Sequence, residues 1–269
     1  MKAPTSEIEK RLEAVQAQLH LYARDLHQVV QSEHDKSAQL QSVNRQLQAY
    51  ARDFRTSFLA EQQKARELER AYHDTVLRLV KAMRYKDDET GEHIVRLSHC
   101  CKLVALHLGW EPGAAQMLFD AAPMHDVGKI GIPDAILQKA GPLNPTEWEI
   151  VKRHPGIGAS LLQGSPSALL EMARAIALGH HERWDGSGYP SGARGEEIPA
   201  AARIVMLSDQ YDALRTRRPY KPARPHAEAV DVILNGDGRT LPQHFDPALL
   251  QAFREIHPRL EGVHARFAD

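Results

Sequence analysis

LHLYARDL at Leu19–Leu26 returns as LQAYARDF at Leu47–Phe54, with an offset of 28 residues. That offset equals four heptads, so both copies hold the same place in a seven-residue repeat. Apolar residues around them recur at alternating spacings of four and three, which is typical of a coiled-coil helix. This seam consists of Ile8, Leu12, Val15, Leu19, Tyr22, Leu26 and Val29, then Leu40, Val43, Leu47, Tyr50 and Phe54.

A change in composition divides the chain. The first glycine is Gly91, and no proline lies between Pro4 and Pro112, whereas both residue types are frequent afterwards. We predict a helical dimerisation or signalling segment at 1–80 and a separate domain at 81–269. A helix from Glu7 to Lys86 would be about 120 Å long, too long to fold onto one small core, so it needs a partner helix.

The favoured partner is the same helix of a second chain, which gives a parallel coiled-coil homodimer. The alternative is a hairpin within one chain that breaks near Ser32–Ser37. Polar residues interrupt the seam at Glu33, Lys36, Glu61 and Lys64.

Composition limits the classes of function. The chain has 269 residues with 42% apolar content, enough for a substantial core, and its net charge of −1 offers no broad basic field for polymeric nucleic acid. The only cysteines, Cys100 and Cys101, are adjacent, have no spaced thiol partner and are expected in a helical core. No signal peptide or long apolar run is evident, so we expect a cytoplasmic protein without a membrane span.

Apolar residues after about Thr75 keep a helical spacing, and alternating runs of β-branched residues are nearly absent. This pattern predicts an all-α second domain. Asp185–Pro199 is rich in glycine, proline and serine and is predicted to be a loop.

Histidines and carboxylates occur repeatedly beside these apolar helical segments. We expect His125 and Asp126 on the last turn of a helix that ends at Gly128, His154 at the start of another, and His180 and His181 at the end of a third. Burying such groups is costly unless they are paired or bound to a metal, so their number suggests one shared cation site. The candidates are Glu89 and His93, four residues apart, then His125, Asp126, His154, His180, His181 and Asp209. Imidazole and carboxylate without thiolate favour iron, manganese or another mid-series divalent ion. Two such ions bridged by Asp126 would suit hydrolysis at phosphorus.

Two motifs carry a family resemblance. HDVGK at His125–Lys129 and HHERWDGSGYP at His180–Pro190 resemble the signatures of the HD-GYP subgroup of HD-domain metal-dependent phosphohydrolases. The similarity extends over about Lys81–Phe253. It implies an HD-domain helical bundle after the coiled coil, with all eight candidates as ligands of two divalent ions, or of three where Glu89 takes part.

The same resemblance implies a phosphodiesterase that hydrolyses cyclic di-GMP to pGpG or GMP. Lys129 would neutralise phosphate charge, while Arg218 and Lys221 match positions that contact substrate phosphates. Asp212 ranks first, ahead of Asp87 and Asp88, for protonating the leaving group, although each could instead orient a ligand or cap a helix. The alternatives are a non-enzymatic cyclic di-GMP receptor and a hydrolase of another cyclic dinucleotide.

Overall fold

A computed structural model describes residues 5–83, 91–216 and 223–267 of the chain. These residues form helices and loops with no strand, which confirms the all-α prediction. The chain forms two compact units, Met1–Arg70 and Ala71–Asp269. The predicted domain division at residue 80 stays a prediction.

The first helix, α1, spans Thr5–Met83 without a break. The hairpin alternative near Ser32–Ser37 is therefore wrong, because the backbone remains helical through that stretch. The seam side chains from Leu12 to Phe54 are 51% to 74% exposed. Within the single chain, α1 thus presents an apolar seam that it does not bury.

The second unit contains short helices joined by loops and 3-10 turns. The α-helices are α2 (Gly91–His107), α3 (Pro112–Ala121), α4 (Asp134–Leu137), α5 (Pro145–Val151), α6 (His154–Leu162), α7 (Ala168–Gly179), α8 (Ala200–Arg215), α9 (His226–Asn235) and α10 (Pro247–Arg266). The 3-10 helices span Ala122–Met124, Val127–Gly131, Gly195–Glu197 and Pro242–His244.

Helix α2 lies at the centre of this unit and packs against α3, α8 and α10, while α6 packs against α7. The inward face of α2 completely buries Leu97, Cys100, Cys101 and Val104. The core placement predicted for the two cysteines is confirmed. Among the described residues, no helix combines the length and apolar character needed to cross a membrane.

The segment that carries His125 and Asp126 differs from its prediction. We expected both residues in the last turn of an α-helix, but α3 ends at Ala121 and they lie between two 3-10 helices. Pro123 accounts for the change, because its ring nitrogen has no hydrogen to donate to the carbonyl four residues earlier.

Candidate metal centre

Three buried histidines share one local arrangement. The Nδ1 atoms of His125, His154 and His180 lie 2.9, 2.7 and 3.0 Å from the main-chain carbonyl oxygen three residues earlier. A carbonyl oxygen only accepts, so each Nδ1 carries the hydrogen. In the neutral ring Nε2 then holds a lone pair, which is the form that binds metals.

These Nε2 atoms face a carboxylate. His154 Nε2 lies 3.3 Å from His180 Nε2, and Asp126 Oδ1 lies 3.1 and 3.5 Å from those two nitrogens. With His181, these residues form a group in which one ligand atom from each lies within 4.8 Å of the others. Burial lowers the pKa of His180 and holds the pKa of His181 well below its usual value. Both rings are therefore neutral at physiological pH.

A second group consists of His93, His125 and Asp209, whose ligand atoms also lie within 4.8 Å of one another. His93 Nε2 is 3.7 Å from Asp209 Oδ1. That carboxylate oxygen is buried and accepts no hydrogen bond from the described residues. The second group could also hold a cation.

Asp126 connects the two groups. Its Oδ1 faces His154 and His180, whereas its Oδ2 lies 3.1 Å from His125 Nε2 and 2.7 Å from Lys129 Nζ. Burial would raise the pKa of this carboxyl, but Lys129 and His125 hold it well below its usual range. Asp126 is thus an anion with one oxygen directed to each group.

Asp212 lies behind His93 and is completely buried. Its Oδ2 accepts a 2.7 Å hydrogen bond from His93 Nδ1, and its Oδ1 accepts one of 2.7 Å from Arg96 Nε. Burial opposes ionisation, but hydrogen bonds from His264, His93 and Arg96 lower the Asp212 pKa strongly. This environment suits a carboxylate that orients His93 better than an acid that gives up a proton. The catalytic role of Asp212 stays a prediction.

The ring of Tyr189 stacks on His181, with 4.7 Å between ring centroids and 24° between ring planes. Glu182 holds the loop that carries Tyr189, because its carboxylate oxygens accept hydrogen bonds of 2.7 and 3.1 Å from the amides of Ser191 and Ala193. Glu182 thus anchors this loop. The stacking of Tyr189 was missed.

The structure therefore brings together His93, His125, Asp126, His154, His180, His181 and Asp209, with Lys129 beside them. Glu89, Arg218 and Lys221 lie outside the described residues, as do Asp87 and Asp88. Sequence reasoning also missed His264, whose Nε2 lies 2.7 Å from Asp212 Oδ1. No motif or spacing relates His264 to the site.

The chain is similar in sequence to a known protein family and to several known proteins. A family model described as HD domain matches residues 34–249. The chain is 41% identical over 217 residues to a probable cyclic di-GMP phosphodiesterase of Vibrio cholerae, covering 76% of this chain and 48% of that protein. It is 42% identical over 202 residues to a cyclic di-GMP phosphodiesterase response regulator of Xanthomonas campestris, covering 75% and 52%.

A 3'3'-cGAMP-specific phosphodiesterase of Vibrio cholerae is 35% identical over 203 residues, covering 76% of this chain and 38% of that protein. The alignments thus span 38% to 52% of the length of these three relatives.

Proposed function

This chain belongs to the HD domain family, and we propose that it is a metal-dependent phosphodiesterase that hydrolyses cyclic di-GMP to pGpG, GMP or both. One observation supports the metal requirement most directly. His154 Nε2 and His180 Nε2 face each other at 3.3 Å beside Asp126 Oδ1, while both Nδ1 atoms are committed to carbonyl oxygens. Neutral rings so arranged direct lone pairs at one another, and a bound cation removes that repulsion.

We propose two or three divalent ions, with iron or manganese favoured by ligands that are imidazoles and carboxylates. One ion would bind Asp126, His154, His180 and His181, and another would bind His93, His125, Asp126 and Asp209. Glu89 would serve a third ion, a role that rests on the family resemblance. Such ions stabilise charge on phosphoryl oxygens and provide a nucleophilic water at neutral pH.

The protein's own side chains would do the remaining work. Lys129 holds Asp126 at 2.7 Å, and its ammonium lies where it can also offset the negative charge that develops on phosphate. Arg218 and Lys221 would bind the substrate phosphates. Asp212 would keep the Nε2 of His93 directed at Asp209.

The choice of cyclic di-GMP is supported by the names of the relatives in Vibrio cholerae and Xanthomonas campestris. A different cyclic dinucleotide is the alternative substrate, since one relative is described as 3'3'-cGAMP-specific. A non-enzymatic receptor is less well supported, because seven of the predicted ligands lie together.

We further propose a homodimer that pairs two α1 helices, because the apolar seam of α1 is exposed in the single chain. A cytoplasmic location fits the two unpaired cysteines.

The test is turnover by the full chain, prepared without oxygen and loaded with Fe²⁺ or Mn²⁺. We expect cyclic di-GMP to be cleaved faster than 3'3'-cGAMP, with pGpG and GMP identified by mass spectrometry. His154→Ala should lose turnover and part of the bound metal, while His107→Ala, a change at the end of α2, should retain both. Cyclic di-GMP binding without cleavage would favour the receptor, and faster cleavage of 3'3'-cGAMP would favour the other substrate.

A further inference from the structure

His264 lies in the last turn of α10 and is 8% exposed. It follows residue 249, where the match to the family model ends, and neither signature motif includes it. Its Nε2 atom nevertheless lies 2.7 Å from Asp212 Oδ1. A histidine from the end of α10 thus reaches the carboxylate that contacts His93.

The Asp212 carboxylate joins three helices. Oδ1 receives His264 from α10 and the Nε of Arg96 from α2, each at 2.7 Å. Oδ2 receives His93 Nδ1 at 2.7 Å, and it also accepts hydrogen bonds from Thr216 Oγ1 at 3.1 Å and Arg96 Nη2 at 3.2 Å. Because the carboxylate is completely buried, its orientation depends on these protein donors and not on water.

The same turn of α10 is held by further contacts. Arg96 Nη1 donates a 3.0 Å hydrogen bond to the carbonyl oxygen of Phe267. The ring of Phe267 stacks on His99 of α2, with 4.9 Å between centroids and 18° between ring planes. These contacts hold the end of α10 against the helix that carries His93, and His264 reaches Asp212 from this end of α10.

We propose that His264 is a positioning residue for the metal group of His93, acting through Asp212. This inference rests on the proposed function, because it assigns His93 to a metal. Without His264, Asp212 Oδ1 loses one of its two close contacts, and only Arg96, Thr216 and His93 hold the carboxylate. A shift of the carboxylate changes the direction of His93, and loss of such outer partners typically lowers metal affinity by about 10- to 100-fold.

The experiment is a Mn²⁺ titration of the full chain. Binding is measured by calorimetry and by the electron paramagnetic resonance of bound Mn²⁺. In His264→Gln, the side-chain amide nitrogen is as many bonds from Cα as Nε2 is in histidine. In His264→Asn, the side chain is one carbon shorter, so its amide nitrogen lies one bond closer to Cα. We expect Gln to retain the Mn²⁺ affinity within about threefold and Asn to lose about tenfold or more at one class of site. Unfolding of the metal-free proteins, measured in parallel, separates folding from metal binding.

His257→Asn is the matched control, since His257 lies on the same helix and contacts His226 at 2.9 Å. It should bind Mn²⁺ as the unmodified chain does. The inference is overturned if His264→Asn binds Mn²⁺ normally while its unfolding temperature falls, or if Gln and Asn weaken binding equally. A wild-type chain that binds no Mn²⁺ would contradict the proposed metal centre itself, and the inference with it.

Discussion

The backbone of Gly128 lies against that of His154 so closely that a β-carbon on residue 128 would overlap the His154 carbonyl oxygen. The same β-carbon would lie 2.5 Å from the amide nitrogen of Gly158. This close approach seats the segment that carries Asp126 on the first turn of α6, and so brings Asp126 within 3.1 Å of His154.

Gly128→Ala should therefore destabilise the protein by about 1–3 kcal/mol, the usual cost of forcing extra atoms into a packed site. We also expect weaker Mn²⁺ binding, because His154 and Asp126 must move apart. Denaturant unfolding and metal titration measure the two effects. Gly262→Ala in α10 is the control, since no atom of the described residues lies within 4 Å of its β-position, and it should stabilise the protein by about 0.5–1 kcal/mol. Unchanged stability of Gly128→Ala would contradict the packing argument.

Tyr189 should support the metal centre through its ring. Tyr189→Phe keeps the stack on His181 and should bind Mn²⁺ within about twofold of wild type, whereas Tyr189→Ala removes a contact worth about 0.5–1.5 kcal/mol. We expect Ala to weaken Mn²⁺ binding by roughly 2- to 10-fold, as measured by calorimetry. If Phe proves as damaging as Ala, the hydroxyl and not the ring supports the site.

The exposed seam of α1 should set the oligomeric state. Leu26→Lys combined with Leu47→Lys places two charges in the seam and should convert a dimer to a monomer, because buried like charges oppose helix pairing. Leu21→Lys with Val30→Lys places the same charges on exposed residues outside the seam, and this double variant should remain dimeric. Sedimentation velocity distinguishes the two results. A monomeric wild-type chain would contradict the proposal.

Cys100 and Cys101 should resist alkylation in the folded protein. Burial raises the pKa of Cys101 to about 12 and the pKa of Cys100 well above its usual value. Because only the thiolate reacts, both groups stay protonated and unreactive at physiological pH. Iodoacetamide followed by mass spectrometry should show labelling only after denaturant is added. Rapid labelling of the native protein at pH 8 would contradict this prediction.

The sequence predicted those parts of the site that depend on local pattern. His154 begins α6 and His180 follows the end of α7, as the apolar spacing indicated. A single heptad register across both YARD repeats indicated one long helix, and α1 is continuous through both. Periodicity detects such features because neighbours in sequence remain neighbours in a helix.

Partners distant in sequence could not be predicted in this way. The contact between Asp212 and His264 depends on how α8 and α10 pack, and no spacing between those residues encodes it. The same holds for the stack of Tyr189 on His181, since a loop conformation places the ring. The aspartate was identified as important, but its engagement by Arg96, His93 and His264 became visible only in the fold.

One oxygen of Asp126 faces His154 and His180, and the other faces His125 of the second group. The metal affinities of the two groups therefore cannot be independent. An ion bound to His154 and His180 would fix the carboxylate in the orientation that the other group also requires. Occupancy of one position should therefore change the metal affinity of the other, and thermodynamic reciprocity requires an equal effect in the opposite direction. Removal of the Asp126 carboxylate should accordingly alter metal binding at both positions and not at one alone.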